Sequence, residues 1–449
     1  MGKLFGTDGI RGVANEKLTP EMVLRMGRIV ASLLAEGCGS SRPFFLLGRD
    51  TRISGAMLEG ALSAGIASAG VDVRLLGVVS TPAVAYLVRR LKAAGGVMIS
   101  ASHNPVEDNG IKFFNAEGRK LDDALEARAE KLYFGGGDSI PLPTGIAVGR
   151  VINSARAVHH YTAFLEEGAP QLEGFRVALD CANGSLSRIA PRLYRKLGAE
   201  LIALHSSPNG ANINVRCGST NPAFLQEAVR QSGAQAGLAF DGDGDRLIAV
   251  DENGDIVDGD AIMAICGDYL RESGQLHGGT IVATVMSNGG LELTCRERGI
   301  KLLRTRVGDR YVLEEMIKGG YALGGEQSGH IIFYDYIPTG DGLFTSLQLL
   351  KVMAEKGASL STLAGILQRM PQVLVNCRLR KRDGWEQNSR IRESLRLAEE
   401  KLGTSGRVLV RASGTEPLIR IMVEGEDSSM LQEISQELAA TFEMEMGRA

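Results

Sequence analysis

One pattern recurs three times in this chain, and it restricts the fold more than any other feature. Each copy opens with a short apolar strand, expected over residues 44–47, 176–179 and 280–285. A polar or glycine-containing turn follows: Gly48-Arg49-Asp50, Asp180-Cys181-Ala182-Asn183-Gly184 and Ser287-Asn288-Gly289-Gly290. An amphipathic helix comes next, at 56–69, 186–197 and 291–298. Each helix stops at a glycine (Gly70, Gly198, Gly299), the residue that most readily takes the left-handed conformation of a helix C-terminus. A second strand is expected at 71–76, 199–204 and 300–304. A strand–helix–strand unit with short connections pairs its strands in parallel through a right-handed crossover.

Each copy then reaches a third strand that ends in a loop dense in functional groups. Residues 96–99 run into Ser100-Ala101-Ser102-His103-Asn104-Pro105, and 236–240 into Asp241-Gly242-Asp243-Gly244-Asp245-Arg246. Residues 321–323 run into Gly324-Gly325-Glu326-Gln327-Ser328-Gly329-His330. Open α/β sheets bind ligands beyond the carboxyl ends of their strands, so the three loops are expected to wall one cleft. The C-terminal part breaks the pattern. A helix is expected at 354–368, broken by Met370-Pro371, then strands at 373–379, 407–410 and 418–424, with helices at 389–402 and 429–442. The expected fold is three similar α/β sheet domains plus a C-terminal α+β domain around a central cleft, at 1–155, 156–252, 253–369 and 370–449. Gly135-Gly136-Gly137, followed by Pro141 and Pro143, marks a flexible stretch late in the first domain; no linker marks the boundary near 252.

Composition narrows the function classes. A chain of 449 residues with 44% hydrophobic content can fill several cores. A formal charge of -3 gives no reason to expect nucleic acid or a membrane surface as partner. No apolar run reaches about 18 residues without charges or turn residues, which argues against a membrane span. The N-terminus lacks the apolar run of a signal peptide. The six scattered cysteines form no C-x-x-C pair and read as free thiols in a reducing compartment. A cytoplasmic protein is expected.

Asp241, Asp243 and Asp245 alternate, so an extended segment points all three to one side, and the glycines between them remove crowding. Carboxylates this close repel unless a cation lies between them, and an all-oxygen set suits a hard ion such as Mg²⁺. A solvated acidic turn is the plainer alternative. An EF-hand is opposed by Arg246 at its glycine position and by flanking strands. Ser102 is an ordinary turn serine or a nucleophile beside His103, and Asn104-Pro105 favours a turn that exposes the hydroxyl. A serine and a hard-metal site together suggest phosphoryl transfer. Lys112 reads equally well as a solvated surface lysine or as an acid/base and charge-stabilising group. Glu326, Ser328 and His330 alternate around glycine, which suits sugar hydroxyls with His330 as a proton carrier, or is simply a polar loop. Arg411, Ser413, Gly414, Thr415 and Arg420 form a phosphate cradle or a charged turn, and Arg11, between glycines, reads as a phosphate contact.

Together, Gly6-Thr7-Asp8-Gly9-Ile10-Arg11-Gly12, the Ser102 loop, Asp180-Cys181-Ala182-Asn183-Gly184, Cys217-Gly218-Ser219-Thr220, the triple-aspartate loop, Val307-Gly308-Asp309-Arg310-Tyr311-Val312, the Glu326 loop and Arg411-Ala412-Ser413-Gly414-Thr415-Glu416-Pro417 resemble the α-D-phosphohexomutase superfamily. The likeness spans nearly the whole chain and points to the bacterial branch acting on glucosamine phosphates. It implies an isomerase, an intramolecular phosphotransferase, whose Ser102 carries a phosphate. That phosphate and Asp241, Asp243 and Asp245 would hold one Mg²⁺ per subunit. Arg11 and Arg246 would contact the reaction centre, and Lys112 and His330 are candidates for proton transfer. Glu326 and Ser328 would hold sugar hydroxyls; Arg411, Ser413, Gly414, Thr415 and Arg420 would hold the phosphate that is not reacting. The phosphoserine would phosphorylate O1 of glucosamine 6-phosphate, and the bisphosphate would return its 6-phosphoryl group, with glucosamine 1,6-bisphosphate or glucose 1,6-bisphosphate as activator. The implied partner is a small sugar phosphate, with no nucleic acid or membrane; a homodimer is compatible. The product would feed amino-sugar nucleotide and cell-wall precursor synthesis.

Three rivals remain. A phosphomannomutase/phosphoglucomutase typically carries Met where this chain has Gln327. A phosphatase with Asp241 as nucleophile would leave Ser102 idle, and its pattern breaks at Asp245. A Ca²⁺-binding module is opposed by Arg246 and the strand flanks.

Overall fold

A computed structural model describes residues 4–6, 8–36, 38–135, 140, 142–380, 384–403, 406–412 and 418–447. Gly136, Gly137 and Pro141 of the expected flexible stretch, and Ser413, Gly414 and Thr415 of the expected phosphate cradle, lie outside them. Contacts divide the chain into two units, Met1–Ser287 with Arg298–Ile366, and Asn288–Glu297 with Leu367–Ala449.

The first unit holds three sheets. One is built from β1 (Ile10–Val13), β2 (Phe44–Arg49), β3 (Asp72–Val78), β4 (Gly95–Ile99), β5 (Asp108–Phe114) and β6 (Val151–Asn153), in the order β1-β5-β4-β2-β3-β6. The next contains β7 (Arg176–Asp180), β8 (Glu200–Leu204), β9 (Ala236–Phe240), β10 (Leu247–Asp251) and β11 (Ile256–Val257), in the order β11-β10-β9-β7-β8. The last has β12 (Thr280–Thr284), β13 (Lys301–Thr305), β14 (Leu323–Gly325) and β15 (Ile331–Phe333), in the order β13-β12-β14-β15. The repeat is visible in the pairing. The first strand of each copy pairs in parallel with the second and the third: β2 with β3 and β4, β7 with β8 and β9, β12 with β13 and β14.

Four details differ from the sequence expectation. Each third strand turns back into an antiparallel partner (β4 with β5, β9 with β10, β14 with β15), so each functional loop joins the two strands of an antiparallel pair. The third copy's strand is Leu323–Gly325 rather than 321–323, because Gly324 and Gly325 pair with Val282 and Ala283 instead of starting the loop. The predicted helix 354–368 is two helices: Gly342–Lys356 ends at Gly357 in the left-handed conformation (φ 59°), and a short Leu360–Ala364 follows. The second sheet also runs past residue 252 to Val257, since β11 pairs with β10.

Packing anchors the first sheet. Val23, Met26, Ile29 and Val30 of helix Pro20–Ala35 are buried against Leu62 and Ile66 of helix Gly55–Ser68 and Phe45, Leu47, Val97 and Ile111 of the strands. Each such side chain contributes about 1.5–3 kcal/mol on burial. Helix Thr81–Leu91 begins at Ser80, whose hydroxyl accepts the Ala83 N–H (3.4 Å), with Pro82 in its first turn. That start aims Thr81 at the aspartate loop.

The second unit is α+β, as expected. β16 (Gln372–Arg378), β17 (Arg407–Ala412) and β18 (Leu418–Glu424) form an antiparallel sheet in the order β16-β18-β17. Ile391 and Leu402 of helix Ser389–Leu402, and Leu431 and Phe442 of helix Ser428–Met446, cover Ile419, Ile421 and Val423. Helix Gly289–Glu297, expected in the third domain from chain order, belongs to this unit: the Gly289 N–H donates to Glu424 Oε1 (2.8 Å). All six cysteines are free and five are buried. Among the described residues no helix is long and apolar enough to cross a membrane.

Candidate active site

The three loops of the first unit meet. Ser102 lies on the β4–β5 connection and is 1% exposed, in the left-handed conformation (φ 52°). Its hydroxyl donates to Asp241 Oδ2 (2.5 Å) and lies 3.2 Å from His103 Nδ1. The Thr81 N–H donates to the Asp243 carbonyl (2.9 Å), and its hydroxyl to Asp243 Oδ2 (2.5 Å). The Leu247 N–H donates to the Gly329 carbonyl (3.0 Å) and the Gly342 N–H to that of Gly244 (3.0 Å), joining the second loop to the third copy. Glycine at 242 is required for the approach, since a Cβ there would sit 2.5 Å from the Ser102 carbonyl oxygen. Gly244 has φ +73°, and a Cβ would fall 2.8 Å from Leu186.

The expected convergence of carboxylates is present. Asp241, Asp243 and Asp245 are all buried and offer oxygens within 4.8 Å of one another. Burial, then repulsion from Asp245 and Asp243, pushes the Asp241 carboxyl well above its usual range. Asp243 Oδ1 and Asp245 Oδ1 are buried without a hydrogen-bond partner. Unsatisfied buried carboxylate oxygens are costly, and two beside a third carboxylate fit a hard divalent cation. A second trio, Asp180, His205 and Cys217, has metal-like spacing. It is accounted for by hydrogen bonding: Asp180 accepts the N–H groups of Ala182 (2.9 Å) and Gly218 (3.0 Å) and faces His205 Nδ1 at 3.0 Å.

Lys112, ambiguous in the sequence, is 1% exposed. Its Nζ is 2.8 Å from Asp243, 2.9 Å from Asp8 and 3.3 Å from Asp245. Burial opposes the charge, but Asp243, Asp8 and Asp245 outweigh it and hold the ammonium well above its ordinary value. The solvated-lysine reading is therefore excluded. His330 Nε2 accepts the Gly340 N–H (3.0 Å), and Nδ1 faces Asp245 Oδ2 at 3.7 Å. Burial disfavours the imidazolium, while Asp245 and Asp309 make the ring more basic than a free imidazole. Burial, then Arg246 and Arg11, pushes His103 down to about 4.

Arg11 sits on β1, opposite Gly110 of β5, and pairs with Asp8. The Nε atoms of Arg11 and Arg246 are buried without a hydrogen-bond partner, leaving two guanidinium donors at the serine–aspartate loops. In the third loop, Glu326 Oε1 accepts the Gly308 N–H (3.2 Å), and the exposed Ser328 hydroxyl donates to Glu326 Oε2 (3.4 Å). The Gln327 amide lies 3.4 Å from Asp258 Oδ2. In the second unit, Arg411 and Arg420 are register partners across β17 and β18.

Four groups here escaped the sequence reading: Asp50, Arg52, Thr81 and Asn214. Arg52 is fully buried beneath the Ser102 loop, and Asn214 Nδ2 donates to the Ser102 carbonyl (2.8 Å). Their only sequence signal was polarity in turns, which is too common to single them out.

The chain matches phosphoglucomutase/phosphomannomutase in four successive segments: alpha/beta/alpha domain I over residues 2–138, domain II over 158–254, domain III over 258–370 and the C-terminal domain over 374–441. It is 54% identical to the phosphoglucosamine mutase of Symbiobacterium thermophilum over 447 residues, 99% of this chain and 100% of that one. A phosphoglucomutase/phosphomannomutase family protein from Burkholderia thailandensis has a solved structure that matches with a TM-score of 0.83 at 26% identity, covering 100% of this chain and 99% of that one. The Aspergillus fumigatus N-acetylphosphoglucosamine mutase, solved in complex with GlcNAc-6P and magnesium, shares the fold at a TM-score of 0.69 and 18% identity, covering 98% and 96%.

Proposed function

The chain belongs to the phosphoglucomutase/phosphomannomutase family, and on that premise we propose that it interconverts glucosamine 6-phosphate and glucosamine 1-phosphate through a phosphoserine at Ser102 and a sugar 1,6-bisphosphate. The observation that carries the chemistry is the buried Ser102 hydroxyl, 2.5 Å from one carboxylate of a triad whose other two members have unsatisfied oxygens. The choice of sugar rests on the full-length relative.

Asp241, Asp243 and Asp245 would hold the Mg²⁺ with an oxygen of the phosphorylated Ser102. The ion, when bound, supplies Lewis-acid neutralisation of charge on the transferring phosphoryl group. The chain's own groups do the rest. Arg11 and Arg246 offset negative charge through their unsatisfied guanidinium donors. Lys112, held as an ammonium, adds positive charge, and Lys112 and His330 are the candidates for proton transfer. In the first step the Ser102 Oγ–P bond breaks, a P–O1 bond forms, and the O1 proton passes through an acid/base group of the site to Ser102 Oγ, which ends as a hydroxyl. The bisphosphate turns over and its 6-phosphoryl group returns to Ser102. Glu326 and Ser328 hold sugar hydroxyls, and Arg411, Ser413, Gly414, Thr415 and Arg420 hold the phosphate that is not reacting. One clamp must serve either phosphate, which suits generic cationic donors. A cytoplasmic location fits five buried free thiols.

A C2 amine differs from a hydroxyl by a charge and a donor pattern, and Glu326 is its natural partner. A preference for glucosamine phosphates with measurable turnover of glucose phosphates is therefore expected. The test compares kcat/KM for glucosamine, glucose and mannose 1-phosphates under one Mg²⁺ and bisphosphate concentration. Faster conversion of glucose or mannose 1-phosphate would refute the sugar assignment and favour a phosphomannomutase/phosphoglucomutase.

A further inference from the structure

We infer that Arg52, together with Asn214, is a positioning residue that sets the conformation of the Ser102 loop for phosphoryl transfer. The inference rests on the phosphoserine reading above.

Arg52 is 1% exposed and lies just beyond β2. A guanidinium has five N–H donors, and here all five are engaged. Nε donates to Asp50 Oδ2 (2.9 Å). Nη2 donates to the carbonyls of Ser102 (3.0 Å) and Asn104 (2.8 Å). Nη1 donates to the carbonyls of Asp108 (3.0 Å) and Pro105. One side chain therefore fixes four peptide planes of the loop. From the second copy, Asn214 Nδ2 donates to two of the same carbonyls, Ser102 (2.8 Å) and Asn104 (3.1 Å).

The anchor is also tied to the other side of Ser102. Asp50 Oδ2 accepts the Ser100 hydroxyl (2.6 Å), and Ser100 Oγ accepts the Ser102 N–H (2.9 Å). Both peptide groups flanking Ser102 are thus held by one connected network. A serine at φ 52° lies in a region that non-glycine residues rarely occupy, so it persists only where surrounding bonds determine it. With both planes fixed, the Cα–Cβ bond has one direction, and that direction brings Oγ to Asp241. Among the described residues, the side-chain hydrogen bonds of Arg52 and Asn214 go to main-chain oxygens of this loop and to Asp50, so their effect on transfer runs through Ser102.

The test follows phosphorylation of Ser102 by glucose 1,6-bisphosphate with Mg²⁺, read by intact mass and peptide mapping, alongside steady-state kinetics. Arg52→Lys keeps the charge but has three donors and no planar fork. It is expected to lower kcat and the rate of Ser102 phosphorylation about 100-fold, with KM within about 3-fold, as a misplacement near 1 Å would do. Asn214→Ala removes the donors from the other side and is expected to lower both rates about 10-fold. Wild-type protein that never gains phosphate on Ser102 overturns the phosphoserine reading and this inference with it. Phosphorylated wild type with a folded Arg52→Lys variant of near-wild-type rate, or with a loss confined to KM, overturns the positioning role alone. If Arg52→Lys does not fold by circular dichroism, Asn214→Ala decides, and a near-wild-type transfer rate there overturns the inference.

Discussion

Replacing Lys112 by methionine should weaken the metal-free protein and tighten its hold on Mg²⁺. The ammonium is buried within 3.3 Å of three carboxylates, Asp8, Asp243 and Asp245. Removing one partner of a buried ion pair costs about 3–5 kcal/mol, because the remaining charges stay desolvated and unpaired. Methionine keeps most of the apolar stem, so the cavity contribution is small. The same change adds one net negative charge to the triad. A unit charge about 4 Å away is worth up to about 4 kcal/mol at an effective dielectric constant near 20, so a gain of roughly 10–100-fold in Mg²⁺ affinity is a reasonable scale after relaxation. Ligand stabilisation grows as the logarithm of affinity, about 1.4 kcal/mol per tenfold at saturation. The assay is urea unfolding of both proteins in chelator and in excess Mg²⁺, with calorimetric Mg²⁺ titration. The sign of the pH dependence also follows. Against the cost of burial, the carboxylates raise Lys112 above 10.5 and the cations, Lys112 foremost, lower Asp8 and Asp245 below 3.8. The lysine contribution is complete below 10.5 and lost as pH climbs through its raised value; the carboxylate contribution is complete above 3.8 and lost as pH falls through theirs. The contribution of Lys112 should therefore be present at neutral pH and be lost at both the acid and the alkaline extremes. A variant as stable as wild type in chelator, or one binding Mg²⁺ more weakly, would refute the account of Lys112 as the counter-charge of the triad.

Ser102→Ala should abolish mutase turnover and the phosphate seen by intact mass, while urea stability falls by about 1–3 kcal/mol, the cost of leaving a buried hydrogen-bond partner at Asp241 unsatisfied. Retained wild-type turnover would rule out the phosphoserine mechanism. If Arg420 holds phosphate as proposed, Arg420→Ala removes a charge-assisted contact of about 1.5–3 kcal/mol, so kcat/KM should fall roughly 10–150-fold. An unchanged value would mean that β17 and β18 do not hold phosphate.

The local features of this protein were legible in its sequence. Apolar periodicity and helix-ending glycines announced three strand–helix–strand copies, and the helix Ser389–Leu402 and strand Leu418–Glu424 were read to the residue. The alternation of Asp241, Asp243 and Asp245 announced their convergence, because side-chain direction in an extended segment is a local property. What escaped was set by partners distant in the chain. Gly324 and Gly325 look like turn residues, yet they pair with Val282 and Ala283, because strand pairing is decided across the sheet. Lys112 looked equally like a solvated lysine until Asp8 and the aspartate loop closed around it. Arg52 and Asn214 carry no periodic signature, and they reach the Ser102 carbonyl from 50 and 112 residues away. Sequence by itself determined the three strand–helix–strand copies and the polar loops that follow their third strands. Tertiary structure alone decided which charges are buried together and how the serine is aimed, since desolvation and hydrogen-bond geometry exist only once separate segments exclude water from one another.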